Sequence, residues 1–239
     1  SKSGSFNDKS PEDEYEGAYV PRYDPVTGDP IDDIAPGYIP IDNPYVPQEI
    51  IDSNPYKDRI YWDRRFGEVG NISTDNDRTT IRTWAGLQGM MFDDTWDWDI
   101  SAGYGQFKQH QIRSNELNTV RVNQALQAEK LADGTIQCKD AEARAQGCVP
   151  LNLFGEGSIT PEMADWIRTN PIIDTEIQQY TVMGYITGDL YELPAGNVSA
   201  VFGAEYRKDS QSLDTSDDMK AGGITFNVVP SFYGEVEVY

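Results

Sequence analysis

The side chains able to do chemistry are few. His110 is the only histidine, and Cys138 and Cys148 are the only cysteines. A structural zinc site takes four Cys or His ligands, and these three do not complete one. Cys138 and Cys148 are spaced for a small covalent loop, whose closure would contribute about 3 kcal/mol in the chain-entropy picture. A disulfide is favoured over free thiols, and an oxidising compartment would permit it. Asp214, Ser216 and Asp218 resemble the opening of an EF-hand loop. Met219 and Thr225 then stand where that loop needs its glycine and its bidentate glutamate. Gly103-Tyr104-Gly105 lacks the third glycine of a dinucleotide fingerprint, and no P-loop is present. No pair among the carboxylates is marked out for acid and base work. No catalytic residue, metal ligand or cofactor is therefore assigned. Tyr38, Tyr45, Tyr61, Trp62, Phe154 and Trp166 present rings that can stack on a sugar or another flat ligand, although packing within loops is the commoner role of such residues.

Forty acidic residues against nineteen basic ones give a formal net charge of -21. That balance opposes binding to nucleic-acid phosphates and to anionic lipid headgroups, so no nucleic-acid partner is expected. No apolar run is long enough for a membrane-spanning helix. A β-barrel stays open, because its strands carry a much weaker signal.

The elements that must position these residues alternate with period two. Tyr180, Val182, Gly184, Ile186, Gly188 and Leu190 fall on one face of a run, with Gln179, Thr181, Met183, Tyr185, Thr187 and Asp189 on the other. Pro194-Ala195-Gly196-Asn197 breaks the run, and Val198 to Arg207 alternates again. A second hairpin of the same design runs from Asp77 to Arg113 around Phe92–Thr95. The strands predicted are about 77–91, 96–113, 175–192, 198–210 and 233–239. Residues 1–76, with nine of the fourteen prolines, read as a long loop that packs on something. Loops are also predicted at about 114–174 and 211–232. Leu117 to Lys130 and Pro161 to Ile167, the latter capped by Thr160, read as helices. Long and short connections alternate strictly, as they do when tight turns line one rim of a membrane barrel and elaborate loops the other. Trp96, Trp98, Leu190 and Tyr191 cluster at the tight-turn end, where an aromatic girdle belongs. The competing reading is a secreted or surface β-sandwich that binds carbohydrate or protein through its acidic loops.

Three stretches carry a family likeness: Gly188 to Ser210 (GDLYELPAGNVSAVFGAEYRKDS), Cys148 to Ile167 (CVPLNLFGEGSITPEMADWI) and, more weakly, Asp42 to Pro47 (DNPYVP). Thr95 to Gly105 (TWDWDISAGYG) fits as well. In these the sequence resembles the TonB-dependent receptors of Gram-negative outer membranes. The resemblance implies a 22-stranded barrel plugged by an N-terminal domain. Such a barrel binds a scarce nutrient (a siderophore, cobalamin, an oligosaccharide or a peptide) outside the cell and imports it with energy from the TonB complex. The chain has no plug and no TonB box, so the expectation is an all-β, antiparallel barrel-wall segment of about five strands, 77–239, with residues 1–76 as extracellular loop. Expected partners are outer-membrane lipid, the nutrient ligand at the loops and, through the missing plug, the TonB complex. No enzymatic activity is expected.

Overall fold

The computed structural model describes residues 37–227 and 229–239 in full, together with the backbone of four strands before residue 37 (Lys2–Phe6, Glu12–Tyr15, Arg22–Tyr23 and Pro30–Ile31). The other residues of the 1–76 loop expectation that precede Gly37 lie outside the described residues. The chain is mostly β, with antiparallel sheets. No described helix is long and apolar enough to cross a membrane.

Six strands form the main sheet: β1 (Lys2–Phe6), β2 (Ser73–Met91), β3 (Trp96–Ser114), β4 (Ile172–Leu193), β5 (Gly196–Thr215) and β6 (Phe232–Val238). They are hydrogen-bonded in that order, each antiparallel to its neighbours. The sheet does not close. Two features depart from the sequence reading. The sheet has six strands rather than five, because Lys2–Phe6 pairs with Ser73–Asp77. The region 1–76 is thus not all loop. The strands are also longer, nineteen to twenty-two residues in β2 to β5. Most of their extra residues, such as Asp174 and Asp214, are polar, and the extensions lack the regular apolar alternation that marks a strand in sequence.

Both tight turns lie at one end of the sheet and all three long connections at the other. Phe92, Asp93 and Asp94 take positive φ (54°, 51° and 64°) in the first turn, which the Thr95 hydroxyl closes by donating to the Phe92 carbonyl at 2.6 Å. The second turn is tighter than the four-residue break read from sequence. Leu193 pairs directly with Gly196, leaving Pro194 and Ala195 as a two-residue loop. Just before it the register slips between Asp189 and Tyr191. This bulge adds one residue, so Tyr191 rather than Leu190 falls on the face of Val198.

The hydrophobic core is not in the sheet. Phe66, Leu117, Val122, Leu126, Leu151 and Ile167 are fully buried in a cluster drawn from two of the long connections, residues 37–72 and 115–170. The first helix, Gln48–Ser53 (α1), flanks this module. Thr119–Leu126 (α2) is capped by Asn118, whose side chain accepts from the Arg121 amide at 3.0 Å. It is shorter than the Leu117–Lys130 helix expected, because Ala128–Lys130 pairs as a strand with Ile136–Cys138. Ala141–Ala145 (α3) was not foreseen; Asp140 caps it. Pro161–Ile167 (α4) starts at the Thr160 cap, as its sequence predicts. A last turn of helix, Asp217–Lys220 (α5), lies in the third connection.

Buried polar pairs hold the two halves of the module together. The Asn43 side-chain amide donates to the Leu126 carbonyl at 2.7 Å, and Arg168 Nη2 donates to the Val69 carbonyl at 2.8 Å. At the junction with β3, Glu116 is buried, pairs with Arg113 and accepts from Thr225 Oγ1 at 2.6 Å.

Candidate functional site

Two surfaces emerge from this fold. The first is one face of the sheet. Register places Thr83, Ala85 and Leu87 of β2 beside Tyr104, Ala102 and Ile100 of β3. The same row set continues through Tyr180, Val182, Gly184 and Ile186 of β4 to Ala204, Phe202 and Ala200 of β5. Leu87 is 69% exposed, Ile100 49% and Phe202 57%, so no described part of the protein covers this apolar face. Contiguous apolar exposure on this scale marks an interaction surface.

Aromatic rows bound the face at both ends. At the tight-turn end Trp96 lies across Gly188 to stack on Phe202, ring centroids 6.4 Å apart and planes within 11°. A Cβ on Gly188 would sit 2.4 Å from the Trp96 ring, so only glycine admits this crossing. At the other end Tyr104 and Tyr180 meet at 4.8 Å, and Tyr206 and Tyr239 at 5.3 Å. Trp96 to Tyr104, Gly188 to Tyr180 and Val198 to Tyr206 are each eight residues, or ~26 Å along a strand. Beyond the tyrosines the face turns charged: Lys208 pairs with Glu235 at 2.6 Å, Lys108 with Glu176 at 3.5 Å and His110 with Asp174 at 2.6 Å. The tyrosine row escaped the sequence reading, although the spacing from Trp96 to Tyr104 was there to be found. The lower row holds Trp96, Trp98 and Tyr191, with Leu190 displaced by the bulge.

The opposite face of the sheet is mixed. Arg82, Asp97, Asp99, Thr181, Glu205 and Arg207 lie on it among Trp84, Met183, Tyr185 and Val201.

The second surface is a cleft of about 870 Å³ in the module, on the strand Trp62–Arg65 and the turn 153–157. Of the six ring residues singled out in the sequence, the structure brings Tyr61, Trp62 and Phe154 to this cleft. Trp166 is instead buried, its indole donating to the Arg121 carbonyl at 3.2 Å, and Tyr45 packs on the core, where burial raises its phenol pKa. Tyr38 lies under the Arg59 guanidinium at 4.7 Å. Arg64 fixes the cleft wall by donating to the Leu153 carbonyl at 2.5 Å, Ser158 Oγ at 3.0 Å and Glu68 Oε1 at 2.5 Å. Glu68 Oε1 also accepts from the Gly157 amide at 3.1 Å. Arg64 and Glu68 therefore satisfy each other and hold a turn; neither is presented as a free charge.

The remaining sequence candidates resolve simply. Cys138 and Cys148 form a disulfide, with Cα atoms 6.3 Å apart. Asp214 binds Lys220 at 2.9 Å and accepts from Ser231 at 2.8 Å, while Asp218 accepts from Ser216 at 2.6 Å. The would-be calcium ligands are thus engaged with neighbours, and no metal-binding group of His, Cys, Asp and Glu occurs among the described residues. In the module, Arg59 hydrogen-bonding holds the Asp58 carboxyl below its usual range. The Thr135 amide does the same for Asp133, and the backbone amide at the start of α4 for Glu162. Comparison with models of protein families, with curated proteins and with solved structures returns no match.

Proposed function

We propose that the chain is a wall segment, with its outward module, of an outer-membrane importer of the kind the TonB-dependent receptors represent. The observation that carries this reading is the uncovered apolar face framed by two aromatic rows. At a strand tilt of roughly 40°, the ~26 Å between rows spans ~20 Å of membrane normal, close to the ~25 Å apolar band of such barrels. Trp and Tyr belong at both borders of that band, where an amphipathic ring meets headgroups. The mixed face then lines a hydrated lumen, and the strands continue ten residues past Tyr104 to Ser114, lifting the module ~25 Å above the border. In this reading the module and its neighbours select the nutrient, while energy and gating come from a plug domain and the TonB complex. No covalent chemistry is performed.

A sandwich would need a second sheet against the apolar face, and among the described residues none packs there. Fluorescent labels at Ala102, Ile186 and Ala200, which share the apolar face, separate the two readings. All three should report hydrocarbon in detergent or vesicles, while labels at Gln88, Thr181 and Ser199 report water. Aqueous emission from the first set would end the proposal.

A further inference from the structure

The cleft of the module has a chemical character that its fold alone does not require. Three rings line it, Tyr61, Trp62 and Phe154. Tyr61 meets Tyr56 edge-on at 4.8 Å, and Trp62 meets Phe66 edge-on at 6.0 Å. Rings lining a groove offer flat apolar platforms. Gly67, Gly155 and Gly157 line the same space. Nothing lies within 4 Å of a Cβ built on Gly67, Gly155 or Gly157, so peptide groups there are approachable. Asp63 and Glu156 line the same space and have no hydrogen-bond or ion-pair partner among the described residues. The cations are already engaged: Arg64 is spent on Leu153, Ser158 and Glu68, and Arg65 also has a partner. The cleft therefore offers acceptor carboxylates, open backbone and apolar ring faces and, among the described residues, no free positive charge.

We propose that this cleft binds a neutral glycan segment. The C–H faces of pyranose rings lie on Tyr61 and Phe154, and sugar hydroxyls donate to Asp63 and Glu156. An anionic ligand would meet two unpaired carboxylates, and a volume of about 870 Å³ is within the usual range of ligand-binding clefts. The assignment deepens the import reading, on which it rests for the glycan's being cargo.

The test uses the full chain in detergent micelles on an array of neutral glycans, with hexalysine and hexagalacturonate as charged controls. Binding to at least one neutral glycan is expected. The exposed substitutions Tyr61→Ala and Glu156→Gln should each weaken it roughly tenfold or more, the scale of a lost ring contact or charge-assisted hydrogen bond. Tyr233→Ala, on the sheet, should leave it unchanged. No binding to any neutral glycan, binding only of a charged control, or binding indifferent to both cleft substitutions overturns the proposal. Labels at Ala102, Ile186 and Ala200 keep the two proposals apart. Glycan binding with those labels in water sinks the import reading alone, and hydrocarbon-buried labels without glycan binding sink this one alone.

Discussion

Placing an arginine at Ile100 is the sharpest test of the banded face. Ile100 lies four residues from Trp96 and four from Tyr104, so it sits midway between the aromatic rows. It is 49% exposed and no described side chain covers it. If that exposure faces lipid, Ile100→Arg places a guanidinium near the bilayer midplane at a cost of ~2–4 kcal/mol, which is roughly a 30- to 700-fold fall in the folded-to-unfolded ratio. Ser210→Arg lies above the tyrosines on the same face and should cost ~0–1 kcal/mol. Thr181→Arg, on the mixed face and level with Gly103, should cost within about 0.5 kcal/mol. The assay is urea unfolding of the chain in phospholipid vesicles, followed by tryptophan emission. The ordering Ile100 far above Ser210 and Thr181 is the signature of depth. Were Ile100→Arg no more costly than Thr181→Arg, the face would be in water or against polar protein, and the barrel-wall argument would be wrong.

Three further outcomes bear on the module. Arg64→Met removes the donor that ties residues 153–158 to the strand Trp62–Arg65 and leaves Glu68 without its ion-pair partner; a loss of ~2–4 kcal/mol is expected in thermal melts of near-UV circular dichroism. Reducing the Cys138–Cys148 disulfide, or Cys148→Ser, frees a loop with a sequence separation of 10. The loss should be ~3 kcal/mol, read by the same melt with and without reductant. Asp58, Asp133 and Glu162 all have folded pKa values held below their unfolded ones. Their contribution is complete above the unfolded values near 4 and is lost as pH falls through the depressed folded values. Melting temperature should therefore be flat from neutral pH to about 5 and drop below about 4. Glu162→Gln should shallow that drop by lowering the neutral plateau, with the two proteins converging in acid.

How much of this was legible in advance differs by region. The period-two runs around Val182 and Ala102 announced their strands, because a face held in one environment needs one residue type at every second position. The Thr160-Pro161 pair fixed where α4 begins, since a capping hydroxyl and a pre-set φ act locally. The ends of β4 and β5 were not legible, because Asp174 and Asp214 are held in the ladder by neighbouring strands rather than by their own pattern. The cleft was half legible. Tyr61, Trp62 and Phe154 were singled out with Tyr38, Tyr45 and Trp166, and nothing local separates a ring that will be buried from one that will line a groove.

The sequence alone determined the alternating strands, the two tight turns and the strict alternation of long and short connections, all of which follow from short-range sterics and hydropathy period. Tertiary structure decided that the long connections are no mere loops, because residues 37–72 and 115–170 together supply one core. It also decided which rings reach the cleft, that Tyr191 replaces Leu190 beyond the bulge, and that Tyr104, Tyr180, Tyr206 and Tyr239 form a border. Each of these depends on register between strands far apart in the chain, and register is a property of the pairing, not of any one strand.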